Sequence, residues 1–135
     1  MEDKALQEKI VAYQILQRYI EALSEQAVML ENRLLEINAT QQAIEEFSKI
    51  ESGNEIYVAL GSGCWTLSRI ERPKAILFNL GAGIYAERGI EDVKKALSER
   101  SKAIESEIER IQSEFNTLKE RLSELAKDIG QAISP

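Results

Sequence analysis

The first fifty residues carry apolar side chains alternately three and four positions apart, the spacing of a helix that pairs with another helix. With Leu6 at heptad position a, ten of the twelve a and d positions up to Ile44 are apolar, and the exceptions are Lys9 and Gln41. No glycine or proline occurs before Gly53. We therefore expect one helix of about 48 residues, about 70 Å long. Lys49 and Gly53 favour its end, because a cationic last turn and a flexible residue commonly stop a helix.

The last third of the chain repeats this spacing. Nine of its ten heptad positions are apolar, and they run from Leu97 and Ser101 at d and a to Leu125 and Ile129. Glu91 and Asp92 come just after Gly89, where a helix N-terminus favours negative charge. The pattern predicts a second helix from about residue 90 to 130, near 60 Å long.

Between the heptads the period changes to two, which is typical of strands. Ile56, Val58 and Leu60 alternate with other residues, and the same alternation returns 20 residues later. The repeat includes LGSG at 60–63 and LGAG at 80–83, and Trp65 matches Tyr85. We predict two β-hairpins, joined by a turn at residues 72–74 that contains a proline.

The two glycine motifs could be phosphate-binding loops or hairpin turns. A phosphate loop leads into a helix whose N-terminal amides point at the anion. Here CWTL follows the first motif and IYA follows the second, and both are typical of strands. Glycine also suits tight hairpin turns, which need positive φ angles. We therefore favour turns.

These elements predict an α+β fold in which the two helices form a long antiparallel coiled coil. The strands would lie at one end and both chain termini at the other. Two hairpins cannot form a stable core alone, and their unpaired edges would accept strands of other chains. We expect an oligomer in which these strands pair with strands of other chains. The chain would be one domain over 1–135, divided into an N-terminal helix (1–52), two hairpins (53–89) and a C-terminal helix (90–135).

Composition narrows the function classes. The chain has 135 residues and a net charge of −6, which argues against binding to nucleic-acid phosphates. It contains no histidine, the residue that most often serves as a metal ligand or a general base. A tRNA-binding helical arm should be basic, whereas residues 1–51 hold ten acidic and five basic side chains. No apolar run could span a membrane and no signal peptide is evident, so we expect a cytoplasmic protein. We also expect no cofactor and no metal, and we do not expect an enzyme. Cys64 is expected to be a small buried hydrophobe.

The duplicated block EIYVALGSGCWTLSRIERPKAILFNLGAGIYAERGIEDVKKAL, set between two heptad helices, resembles the α subunit of the prefoldin family, of archaeal type. Two hairpins rather than one mark the α type. The resemblance implies a hexamer of two α and four β subunits whose strands build a β-barrel. It also implies that coiled-coil tips hold unfolded client proteins and deliver them to the group II chaperonin without ATP. The alternative is a structural spacer or a filament-forming relative without client transfer.

Two sets of candidate site residues follow. Apolar residues near the helix ends far from the hairpins are candidates for client binding: Leu6, Ile10, Val11, Tyr13, Ile129, Ala132 and Ile133. Ile10, Val11 and Ile133 stand outside the regular heptads. Apolar residues of the hairpins are candidates for oligomerisation: Ile56, Val58, Leu60, Trp65, Leu67, Ile76, Phe78, Leu80 and Tyr85. A ligand platform at Trp65 and Tyr85 is a weaker alternative to a barrel core or subunit interface.

Overall fold

The computed structural model of the chain describes residues 2–133, in which two long helices flank four strands. The elements are, in order, α1 (Glu2–Phe47), β1 (Glu55–Gly61), β2 (Cys64–Arg69), β3 (Ala75–Gly81), β4 (Ile84–Gly89) and α2 (Ile90–Ile133). The predicted α+β order is confirmed. The prediction that Lys49 lies in a cationic last turn of the helix is wrong, because α1 ends at Phe47 with no basic residue in its last turn. Lys49 instead lies in a turn, where its amide donates to the Glu46 carbonyl at 3.2 Å.

The chain packs as two compact units, one made of residues up to 34 with those from 103 onwards, and one of residues 35–102. In the first unit the helices run antiparallel. The Lys9 ammonium lies 3.9 Å from the Asp128 carboxylate, and the Tyr19 hydroxyl donates to Glu114 at 2.9 Å. The buried apolar residues of this unit are Ile20, Leu23, Ile108, Ile111 and Leu125.

The heptad positions are the covered positions of both helices. All ten in α2 are buried or half-buried, and in α1 only Lys9 is exposed. Ile10, the next residue, is half-buried in its place. The heptad pattern therefore identified the packed face of each helix, with a local shift near the start of α1.

The second unit is built around one apolar cluster. Ile44 of α1 packs with Ile90, Val93 and Leu97 of α2, and all four are buried. Ile37, Phe47, Ile76 and Phe78 pack against the cluster at its margin. Strand β4 continues into α2 without a loop. The cluster thus joins the two helices to strand β3.

The four strands form two separate antiparallel hairpins, β1–β2 and β3–β4. Each has a two-residue loop whose residues both have positive φ: +50° and +78° for Ser62 and Gly63, and +52° and +74° for Ala82 and Gly83. This is the type I′ geometry that matches the twist of the strands. The prediction of glycine turns between strands is confirmed.

Further contacts anchor the hairpins. The Arg100 guanidinium lies 4.5 Å from the centre of the Phe78 ring and donates to the Asn79 carbonyl at 3.0 Å. At the base of β1–β2, Gly53 donates to the Ile70 carbonyl at 2.7 Å and Ile70 donates to Asn54 at 2.9 Å. β3–β4 is therefore held by side chains of α2, whereas these bonds at β1–β2 close the hairpin on itself.

Ala82 should be replaceable with a gain in stability. A left-handed conformation costs a residue with a Cβ roughly 1–2 kcal/mol, and asparagine tolerates it better than alanine. We expect Ala82→Asn to raise the free energy of unfolding by about 0.5–1 kcal/mol, measured by denaturant unfolding. Gly83→Ala is the matched opposite change, because a Cβ there would meet open space but φ is +74°. It should lower stability, and an unchanged midpoint in both variants would contradict the strain argument.

The Glu45–Lys94 ion pair should make stability depend on pH. Its atoms lie 2.9 Å apart, and the hydrogen bond lowers the pKa of Glu45 and raises the pKa of Lys94. The contribution of Glu45 is therefore complete above its ordinary pKa of 4.5 and is lost as the pH falls through the lowered value. That of Lys94 is lost only as the pH rises through its raised pKa.

Glu45→Gln should reduce stability at pH 7 by the small amount typical of exposed pairs. The difference from wild type should shrink as the pH falls through the lowered pKa of Glu45. Glu46→Gln is the control, because Glu46 makes no ion pair within residues 2–133. Unfolding curves at pH 7 and at acid pH test this, and equal effects of the two variants would count against it.

Candidate functional site: apolar interaction surfaces

Hairpin β1–β2 exposes apolar side chains on both faces. The register places Tyr57 opposite Leu67 on one face and Val58 opposite Thr66 on the other. Tyr57 is 68% exposed, Trp65 is 62% exposed, and Val58 and Leu67 are also exposed. Neither face is fully covered by the described part of the chain. Such a surface is typical of a segment that is buried by another chain.

Hairpin β3–β4 has one covered and one open face. Ile76 and Phe78 point to the apolar cluster of the second unit and are half-buried. Leu77 and Tyr85 lie on the other face and are exposed. This hairpin therefore offers one apolar face for interaction.

The nine residues predicted for oligomerisation do not share one environment. Ile56 is half-buried. Six are exposed: Val58, Leu60, Trp65, Leu67, Leu80 and Tyr85. Ile76 and Phe78 already contact the helices of their own chain, so a part of their surface is not available to a partner. Their role in assembly, like that of the other seven, stays a prediction.

Sequence reasoning missed three exposed apolar side chains of the strands, Tyr57, Leu77 and Ile84. Tyr57 and Leu77 alternate with the residues that were chosen, so the period of two could have found them as a second face. Cys64 was expected to be buried, and this was wrong. It is exposed because it begins β2 directly after the tight turn.

The seven residues predicted for client binding lie at the paired helix ends of the first unit. Leu6 and Ala132 line one groove together with Asp3, Ala5 and Lys9. A second groove is lined by Ile10, Tyr13, Gln14, Gln17, Ala126, Ile129 and Gly130. Val11 and Ile133 lie outside these grooves and are exposed. The structure therefore brings five of the seven together in grooves, and their binding role stays a prediction.

The polar groups of this unit form surface contacts. The hydrogen bond to Glu114 raises the pKa of Tyr19, and the contact with Arg110 lowers the pKa of Glu107. Within residues 2–133 no three acidic or cysteine side chains are grouped as a metal site would require. Neither helix, over its described length, has an apolar stretch long enough to cross a membrane.

The comparison with protein families gives a match to the family described as "Prefoldin subunit", over residues 16–133. The chain belongs to the prefoldin family. Among curated proteins it is 32% identical over 111 residues to prefoldin subunit alpha of Archaeoglobus fulgidus, which covers 82% of this chain and 81% of that protein. It is 23% identical to prefoldin subunit alpha of Thermofilum pendens, over 87% of this chain and 91% of that protein.

Solved prefoldin structures share the fold. A chain of filamentous prefoldin from Methanocaldococcus jannaschii aligns with a TM-score of 0.56 and 21% identity, over 95% of this chain and 98% of that one. The prefoldin beta subunit from Thermococcus strain KS-1 aligns with a TM-score of 0.62 and 15% identity, over 97% and 94%. The prediction of an α-type prefoldin subunit is confirmed by the curated relatives, and the protein is a prefoldin chaperone subunit.

Trp65 should contribute to assembly with other prefoldin subunits without supporting the fold of its own chain. It is 62% exposed here, so Trp65→Ser should leave the helix content unchanged. Burying such a side chain contributes on the order of 1.5–3 kcal/mol, so the dissociation constant for a β-type partner should rise about tenfold or more. Sedimentation of mixtures at several concentrations measures this. Thr66→Ser, on the other face of β2, is the control. A Trp65→Ser complex as tight as wild type would mean that this face stays exposed after assembly.

Proposed function

We propose that this chain is the α subunit of a hexamer in which two α and four β prefoldin subunits join their strands into a β-barrel. The hexamer acts in the cytoplasm as an ATP-independent chaperone. It holds unfolded proteins at the paired helix ends and delivers them to the group II chaperonin. The observation that carries this proposal is the presence of two kinds of apolar surface, one on the hairpins and one at the helix ends.

The hairpin surfaces support assembly. β1 to β4 form two sheets of two strands, and a two-stranded sheet is at best marginally stable in water. Their unpaired edges and the exposed Trp65, Leu67 and Tyr85 provide both hydrogen-bonding groups and apolar area for strands of another subunit. Because the α-type chain carries two such hairpins, it can contact more than one neighbour in a barrel.

The grooves at the helix ends support client holding. Unfolded proteins expose apolar side chains that folded proteins bury, and an apolar groove with polar margins can receive them. The groove lined by Ile10, Tyr13 and Ile129 also has Gln14 and Gln17 in its wall, so apolar and polar side chains lie side by side in it. Several shallow grooves on several subunits would bind one client more tightly than any single groove.

The glycine turns support ATP independence. Ser62-Gly63 and Ala82-Gly83 each lead into a strand, so their amides close hairpins rather than cradle a phosphate at a helix N-terminus. Binding and release of clients would then depend on apolar contact alone and on competition by the chaperonin.

A second candidate function is a filament or spacer subunit without client transfer. The likeness to a chain of filamentous prefoldin favours it as far as the fold is concerned. The two candidates differ in closure, because a filament lengthens with concentration whereas a closed hexamer does not. Light scattering of the assembled protein over a range of concentrations separates them.

Changing the helix ends should weaken client holding and leave the assembly intact. We expect Ile10→Ser with Ile133→Ser to reduce suppression of aggregation of a denatured test protein. Each buried isoleucine contributes about 1.5–3 kcal/mol, but partial burial and the ends of the β subunits should limit the loss to about tenfold.

The matched control is Gln7→Ser with Gln131→Ser, which changes exposed polar residues at the same helix ends. Sizing of both complexes must give the same mass as wild type. Equal protection by the two variants and wild type would mean that clients are held elsewhere.

A further inference from the structure

Helix α1 carries a second apolar face on the side opposite its heptad positions. Val11, Ile15, Ala22 and Met29 occupy positions f and c of the heptad, which point away from a and d. Ile15 is 62% exposed and Met29 is 71% exposed. We call these four residues the outer stripe.

The outer stripe is not a requirement of helix pairing. In the same unit, the described part of α2 exposes one large apolar side chain, Ile133 at its last turn, and none from residue 103 to 132. Its outward positions are mostly polar, as expected for a helix with one buried face. A helix that is apolar on two sides is normally covered on both. The difference between α1 and α2 therefore points to a partner for the outer face of α1.

The size of the stripe suits an extended polypeptide. Val11 and Met29 are 18 residues apart along the helix, a distance of about 27 Å at 1.5 Å per residue. An extended segment of about eight residues has this length. The whole stripe lies within the first compact unit, before Leu34.

The charges beside the stripe are mainly negative. Between residues 8 and 29, Glu8, Glu21 and Glu25 are exposed at outward positions, against one exposed cation at such a position, Arg18; Lys4 lies one turn before Glu8. None of the three carboxylates takes part in an ion pair within residues 2–133. A ligand with apolar side chains and neighbouring Lys or Arg would match both the apolar stripe and its acidic margins.

We propose that the outer stripe binds apolar segments of unfolded polypeptides that carry basic residues beside them. This inference rests on the proposed chaperone function and adds a preference for a chemical class of client. It also places binding along α1 rather than only at the helix ends. A second copy of the chain fits less well, because each copy would bring its own Glu21 and Glu25 to the other.

The test uses the purified complex of this chain with a β-type partner and two fluorescent peptides. Both peptides have the same eight-residue leucine and valine centre, and one has two lysines at each end where the other has two glutamates. We expect the wild-type complex to bind the lysine peptide at least tenfold more tightly at low salt. This preference should fall as salt rises, because exposed charges are screened.

Two variants locate the binding. Ile15→Ser with Met29→Ser should weaken binding of the lysine peptide about tenfold. Glu21→Gln with Glu25→Gln should remove most of the preference between the peptides. The control is Val28→Ser with Leu35→Ser, which removes comparably exposed apolar side chains outside the stripe. It should bind both peptides as wild type does.

The outcomes separate this inference from the proposed function. If wild type neither binds a peptide nor suppresses aggregation, both fail. If wild type suppresses aggregation, but the Ile15→Ser/Met29→Ser variant binds the lysine peptide as tightly as wild type and the control do, only the outer-stripe proposal is overturned. A wild-type complex whose mass rises with concentration, and whose stripe variant does not, would show that the stripe contacts a second copy, which also overturns the proposal.

Discussion

The packing of Ile44 against Ile90, Val93 and Leu97 is the contact on which the second unit depends. It brings the end of α1 against the start of α2, and it provides the surface on which Ile76 and Phe78 of β3 rest. Because β4 passes into α2 without a loop, the position of that helix also sets the position of the second hairpin. The Lys94–Glu45 ion pair and the contact of Arg100 with Phe78 lie around this cluster. They add contacts between α1 and α2 and between α2 and β3.

Among the described residues, none from β1 or β2 belongs to this cluster or packs against it. Residues 48–54 separate this first hairpin from α1, and the hydrogen bonds of Gly53 and Ile70 close it on itself. Its apolar side chains consequently remain open on both faces. Exposed apolar area is unfavourable unless it is buried on assembly. In a prefoldin subunit, such a hairpin therefore fits one side of an interface with another subunit.

The two helices differ although both carry heptads. α2 has one apolar face and a charged outer face, where Arg110 pairs with Glu107 and Glu114. α1 has few charges between Ile10 and Leu30 and exposes apolar groups on its outer side. Apart from Ile133 at the end of α2, the exposed large apolar side chains of the described residues therefore lie on α1 and on the hairpins.

The sequence by itself determined the elements of this fold. Heptad spacing identified the covered face of each helix. α1 has 46 residues against the expected length of about 48, and it ends at Phe47, five residues before the end of the segment 1–52 that was assigned to it. The repeated glycine motifs identified the two hairpin turns, because positive φ at both loop positions is a local requirement. The block between the helices also indicated the α-type prefoldin subunit, since its repeat is a local property.

Only the tertiary structure decided which faces of these elements are covered. A period of two shows that a strand has two faces, but it does not show that Phe78 meets a helix while Val58 does not. Ile10 replaces Lys9 on the packed face, and Cys64 is exposed, because these outcomes depend on what lies across from each residue. Burial is a property of pairs of segments distant in sequence, whereas periodicity reports one segment at a time.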